Sequence, residues 1–537
     1  MARAYGLSFL ARCGLVTALV GSACGDDGPA QSTDSDSEGS TSGGSTSATT
    51  LVPDGSSSDS TTAGAQTSTG TEESSSSGPP PPLELDVQVY TYPNQPMVAD
   101  LAFSAPDLTV LVEHPTDPGV RFGAVEGDAG ETWVRVRGLA PDTMHELAWS
   151  AEDSSGSMAG GDVLVQTEPP ISGWLPGFTI DGTGAGYGGY VLFDLLALTP
   201  DAPASLFVLD TDGVTRWHIG RSDGIVGPPS VYAGAKLRAD GTILFLRDYS
   251  LFVIDELGVE LVEITSEDLG LPGLHHDVIE LDNGNFLTLS YTFRDIDYPD
   301  IGTVHVAGDL LVEVTPDGEI VWEWDAFDHL DPQRRRLGFD EVILDPATLE
   351  NAHDWTHGNG ILYDPKSDAV LFSMRHQDWL VQIDRPTGDI LWRFGAEGDF
   401  TLTEGTWQYH QHSPQWQEDG TLLLYDNGLG NPDVPFPMQV SRAVHYAIDT
   451  NTMEATQLWE GSEGFMSIIA GDADRLPDGS ILVTDSAIDL HVSPQAIYAR
   501  VREVDEDASE PQWSFTTELG NFIYRCIASD YLPGETP

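Results

Sequence analysis

The chain is predicted to be all-β: a six-bladed β-propeller with a small N-terminal β-sandwich. Three observations predict it. A unit of two hairpins recurs from about residue 172 to residue 530. Four short strands repeated at such a period are the mark of propeller blades. Residues 84–169 carry a different pattern of alternating strands split by Pro, Asp and Gly turns. The length of 537 residues is too great for one ordinary core, and 40% hydrophobic content is enough to fold most of it.

Residues 1–24 are expected to be an export signal. Arg3 and Arg12 precede or flank a short apolar run, Gly14 to Val20, which is too short to span a membrane. The run ends in Val20-Gly21-Ser22-Ala23-Cys24, which resembles the bacterial lipoprotein cleavage box, with Gly21 where leucine is usual. Cys24 is the expected lipidation site. The expected location is therefore the cell envelope, lipid-anchored to the membrane and facing the outer membrane or periplasm. An ordinary secretory signal cut nearby is the alternative. Residues 25–83 are rich in Ser, Thr, Gly, Asp and Pro and have almost nothing to bury, so a disordered linker is expected. With Cys13 in the signal and Cys24 lipidated, Cys526 is the one cysteine left, and no intramolecular disulfide is expected.

Residues 84–169 contain strands such as LELDVQVY, TWVRVRGL and DVLVQTEP. Gly138-Leu139-Ala140-Pro141-Asp142-Thr143 resembles a turn of fibronectin type III modules, and a β-sandwich follows from it. The region shows no catalytic constellation.

The repeat occupies 172–530. Its first half is a strand pair with an Asx-Gly turn, as in 239–248, 282–290, 418–426 and 477–485. Its second half is a hairpin, seen at 206–218, 251–264, 310–324, 380–394, 444–460 and 497–515. Six hairpins give six blades; a seventh closed by a terminal strand is the alternative. The first blade is expected to open within Gly182 to Leu195. Residues 325–350, with Arg334, Arg335 and Arg336, interrupt the third blade as a long loop or short helix.

The residues just before the innermost strands converge on one mouth of a propeller. Counting back eight from the turn glycines Gly284 and Gly420 gives His276 and His412. His357 takes the corresponding place in the blade between them. Asn359 and Arg375 lie close to it in sequence. His275 and His276 are adjacent, so on a regular strand they point opposite ways, and register favours His276 in the channel.

The formal charge of −63, from 23 basic and 86 acidic residues, repels phosphates and excludes nucleic acid as a partner. Lysine occurs only at Lys236 and Lys366, so an anion site must rely on arginines, histidines and backbone N–H groups. Three histidines also suit a catalytic zinc site. Against zinc, Arg375 would sit near the cation, so no metal is expected. The favoured chemistry is group transfer. A neutral imidazole attacks a sulfuryl or phosphoryl centre, and the bond it forms is labile enough to pass the group on. Arg375, Asn359 and a second histidine suit the equatorial oxygens.

Several segments then match a known family. Leu274-His275-His276-Asp277, Asp354-Trp355-Thr356-His357-Gly358-Asn359, Ser373-Met374-Arg375, Gln411-His412-Ser413-Pro414, Asp426-Asn427-Gly428 and Ser441-Arg442 together resemble the bacterial arylsulfate sulfotransferases. The resemblance covers roughly 84–530. It implies a six-bladed propeller that moves a sulfuryl group from an aryl sulfate to a phenol through a covalent sulfohistidine, independently of PAPS and without a cofactor. By the same resemblance His412 is the nucleophile, His276, His357 and Arg375 are catalytic, and Asn359 binds the sulfuryl group. Arg442 is as much a structural as a functional candidate. The alternative function is a non-catalytic propeller lipoprotein that binds a ligand or partner at the same mouth.

Overall fold

The computed structural model describes residues 82–170, 175–182, 189–197, 204–220, 232–492, 496–508 and 510–536. The predicted signal, Cys24 and nearly all of the linker lie outside the described residues. Strands dominate; Ala326–His329 is a single helical turn and Arg375–Gln377 a 3-10 turn.

Two sheets lie between Val87 and Gln166. One runs Val87–Tyr92, Gln95–Phe103, Thr132–Arg137, Arg121–Val125; the other runs Thr109–Glu113, Met144–Glu152, Met158–Gln166. Their inner faces share Leu101, Phe103, Val136, Leu147 and Val165. This unit is tied to the remainder by partly buried ion pairs. Arg216 reaches Asp117 at 2.7 Å and Arg135 reaches Glu256 at 2.6 Å.

Among the described residues from 178 to 529, six mainly antiparallel sheets follow one another along the chain. The second to sixth each carry a first strand at one edge, namely Ala233–Leu237, Leu274–Glu280, Gly358–Asp364, His412–Trp416 and Asp472–Arg475; in the fifth, Thr401–Glu404 at the opposite edge precedes it in the chain. Each of these first strands stands beside the next. Asx-Gly turns set the hairpins. Asp240, Asn283, Asp419 and Asp478 each accept from the backbone N–H two residues on. The glycine that follows each has φ between +80° and +95°, which an L side chain resists.

Each neighbouring pair of sheets shares an apolar core, because strands buried on both faces read as continuous apolar runs. Leu244 and Leu251 pack with Phe286 and Val312. Leu311 and Trp324 pack with Phe372 and Ile383. The sixth sheet shares one with the first: Leu482, Val501 and Phe515 meet Val191, Phe193 and Phe207. Trp513 donates to the Thr211 carbonyl across that junction at 2.8 Å.

The opening strands of the first blade are expected within Gly182–Leu195, and Tyr190–Ala197 overlaps that range, but the strand just before it joins a different sheet. Phe178–Gly182 pairs with Trp513–Thr517 of the sixth sheet, and Tyr190–Ala197 belongs to the first. Cys526–Ser529 then completes the first sheet by pairing with Tyr190–Ala197. The stretch 325–350 is more than a loop or short helix. After Ala326–His329 it supplies Val342–Leu344, which pairs with Asn351–Asp354, and the latter adds parallel to Gly302–Val314.

Candidate active site

The first strands of the third, fourth and fifth sheets are bulged where the histidines lie. Register slips between His275 and Val278, between Gly358 and Gly360, and between His412 and Gln415. His276, His357 and Ser413 take φ of 61°, 49° and 47°. Non-glycine residues in this region are strained, and such strain gathers at functional sites. The bulge also corrects the expectation of opposite-facing neighbours. His275 and His276 line the same cavity, with their Nδ1 atoms 2.7 Å apart, because the left-handed residue breaks strand alternation.

The cavity measures about 170 Å³. His276, His357, Arg375 and His412 line it together with Tyr524 and Glu341. The His276 and His357 rings are 4.9 Å apart, and Tyr524 stands 6.0 Å from His276 and 6.1 Å from His412. Tyr249, Tyr291 and Phe522 supply aromatic wall. Asn359 is in the same layer but is not a lining residue. Its side-chain amide donates to the Gln411 carbonyl at 2.8 Å, so it steadies the backbone just before His412.

Each histidine has a different partner. His412 Nδ1 lies 2.6 Å from the Asn427 amide oxygen. Burial, then the charge on Arg375, holds the His412 pKa well below the ordinary imidazole value. Burial, then the neighbouring histidines 275, 357 and 412, does the same to His276. Both rings are neutral near pH 7. His357 Nδ1 instead meets the Asp354 carboxylate at 2.5 Å. Burial raises the pKa of Asp354. His275 joins His276 to Asp309 at 3.2 Å. Burial pulls the Asp309 pKa up, but hydrogen bonds and charge from His275, with further bonds from Thr356 and Gly358, leave it below the usual carboxylate range.

Arg375 is buried, with Glu341 at 3.5 Å and the Ile468 carbonyl accepting at 3.2 Å. Among the described residues its Nε has no hydrogen-bond partner. Beneath the cavity Asp277 takes Arg525 at 2.8 Å and Lys236 at 2.7 Å.

Among the described residues, Glu341, Asp354, His357 and His376 have ligand atoms close enough together for a metal ion. Both ring nitrogens of His376 are already engaged, with the Asp354 carbonyl at 2.9 Å and Arg375 at 2.5 Å. The guanidinium beside Glu341 adds repulsion, so the group is ill-suited to a cation. Arg442 proves to be a clamp. It pairs with Asp426 at 2.8 Å and donates to the Thr406 and Trp407 carbonyls.

Sequence reasoning gave no role to Tyr524, Arg525, Glu341 or Asn427. Tyr524 and Arg525 follow the last hairpin, 497–515, where no turn or strand of the repeating pattern marks them. Glu341 comes from the stretch that interrupts it. Asn427 lies one residue beyond Leu422–Asp426, and its type, an amide at a strand end, was the available signal.

Comparison with known proteins agrees with this geometry. Residues 182–525 match the family model described as Arylsulfotransferase (ASST). The arylsulfate sulfotransferase AssT of Lelliottia amnigena is 26% identical over 377 residues, 58% of this chain and 62% of that protein. AssT of Escherichia coli O6:H1 is 26% identical over 389 residues, 58% of this chain and 63% of that protein. The chain thus matches less than two thirds of the length of these relatives. The matched segment takes in every histidine that lines the cavity, and on it the chain belongs to the arylsulfotransferase (ASST) family.

Proposed function

We propose that the protein is an aryl sulfotransferase that moves a sulfuryl group from an aryl sulfate to a phenol by way of a sulfohistidine at His412, without PAPS. The observation that carries this reading is a buried, neutral His412 facing a cavity that also holds Arg375 and two further histidines. In the first half-reaction a ring nitrogen lone pair of His412 forms the N–S bond. The S–O bond to the aryl group breaks, its electron pair leaves on the aryl oxygen, and a neighbouring imidazole protonates that oxygen. His357 is the proton carrier, its ring held in place by Asp354 at 2.5 Å from Nδ1. Arg375 answers charge on the sulfuryl oxygens. In the second half-reaction a phenol oxygen attacks sulfur, the pair returns to His412, and the phenol proton goes to the imidazole that lost one. One histidine takes the group in and hands it on, so no nucleotide donor is called for.

The same reading takes the six sheets as six propeller blades over 172–530, with 84–169 as a separate sandwich domain. Shared cores around the whole set and terminal strands that join the first and last sheets support it. It also places the chain on a membrane through lipid on Cys24; Cys24→Ala should leave the membrane fraction, and retention after a carbonate wash would sink the anchor.

The test of transfer is 4-nitrophenyl sulfate plus phenol without PAPS. Nitrophenol should be released, and quenched enzyme should carry one SO3 group on a peptide containing His412. Phenol should remove that group. His412→Ala should lose nearly all turnover and still fold. An unmodified His412 peptide under excess donor would falsify the mechanism.

A further inference from the structure

We propose that Asn427 is a positioning residue that fixes His412 as the Nδ1–H tautomer, so that Nε2 is the atom that takes the sulfuryl group. The inference rests on the transfer reading above and deepens it.

The orientation of the Asn427 amide follows from its partners. Its nitrogen donates to the Ser467 carbonyl at 2.7 Å and to the Ala470 carbonyl at 2.9 Å. Carbonyl oxygens only accept, so both amide hydrogens are used there and the amide cannot be turned round. The amide oxygen therefore faces His412 Nδ1 at 2.6 Å. That oxygen also only accepts, so Nδ1 must carry the hydrogen. A neutral imidazole holds one N–H, and the lone pair is left on Nε2. Asn427 is fully buried, which shields this bond from bulk solvent.

The choice of an amide has a consequence. A carboxylate at this place would favour the imidazolium, which has no lone pair to attack with. In the same cavity the partner of His357 at the equivalent ring nitrogen is a carboxylate, Asp354. When Nε2 forms the N–S bond, the ring gains positive charge and keeps the hydrogen on Nδ1. The hydrogen bond to the Asn427 oxygen then strengthens, because its donor has become charged. When a phenol oxygen takes the sulfur, the N–S pair returns to Nε2 and the same tautomer is restored. The charged and titratable groups that act on His412 are Arg375, His357 and Arg525, with His276 and the Tyr524 ring also facing the cavity.

The test has two arms. Nitrogen-15 NMR on resting, histidine-labelled protein should show His412 protonated at Nδ1 and unprotonated at Nε2, with the signals assigned by their absence in His412→Gln. This arm needs no turnover. Failure of the transfer reading would appear instead as no sulfo group on His412, whatever the tautomer. In the second arm Asn427→Asp places a carboxylate on Nδ1. The acid limb of kcat/KM for 4-nitrophenyl sulfate should rise by about one to three pH units. Below the new limb kcat/KM should fall about tenfold per pH unit. A purely structural asparagine would lower the amount of folded enzyme and leave the limb in place. An Nε2–H tautomer in the resting protein, or an unmoved limb in folded Asn427→Asp, overturns the proposal. If Asn427→Asp does not fold, the tautomer of the unaltered protein decides alone.

Discussion

Arg375 is a guanidinium in a buried place, and among the described residues its one carboxylate partner, Glu341, stands 3.5 Å away. A cation so incompletely answered has charge left for a substrate anion, and its unpartnered Nε has a hydrogen to give. Arg375→Ala should therefore lose turnover by two to three orders of magnitude, about 3 kcal/mol or more in the barrier. The loss should fall on kcat as well as kcat/KM, because sulfuryl oxygens gain charge density on the way to the transition state. A variant with unchanged kcat and raised KM would show that Arg375 only binds. Arg375→Lys should recover little, since a point charge cannot reproduce the planar fork that reaches Glu341, Ile468 and the cavity together. At this scale much of the site was legible. Residue type and spacing picked out His276, His357, His412 and Arg375, which line one cavity. They were not enough for Asn359, whose side chain turns to a backbone carbonyl that no sequence pattern announces.

The bulged first strand is the element that builds the site, and Gly234 shows what it requires. In the second sheet Gly234 sits in the bulge with φ of 62°. A Cβ there would meet the Val278 backbone nitrogen at 3.0 Å and the Asp277 Cα at 3.1 Å. Those atoms belong to the next first strand and cannot swing aside as a side-chain tip does. Gly234→Val should cost about 1–3 kcal/mol from backbone strain, with close packing adding to it. The midpoint of urea unfolding reads it, and a midpoint equal to the parent would show that the strand gives way freely. The repeated turns around this element were readable because Asx-Gly sequences act locally. The bulges were not, since a left-handed histidine is allowed only by neighbours far along the chain. Nor was the pairing of Phe178–Gly182 with Trp513–Thr517, where partners lie more than three hundred residues apart and no local period connects them.

At the scale of the whole molecule, charge decides how a donor arrives. The formal net charge is −63, yet the cavity holds the Arg375 guanidinium, while Lys236 and Arg525 below it are tied to Asp277. An aryl sulfate anion therefore approaches through a repulsive field before it meets an attractive site. Salt shortens the reach of that field to about 8–10 Å at 0.1–0.15 M, which screens the distant surface far more than the buried contact. The kcat/KM for 4-nitrophenyl sulfate should rise by about two- to fivefold from roughly 10 mM to 150 mM salt. The acceptor gives an internal control. A neutral phenol enters against no field, so kcat/KM for phenol should stay constant over the same range, and ping-pong kinetics separate the two constants. A donor kcat/KM that falls with salt would mean that the cations at the mouth govern encounter in spite of the acidic surface.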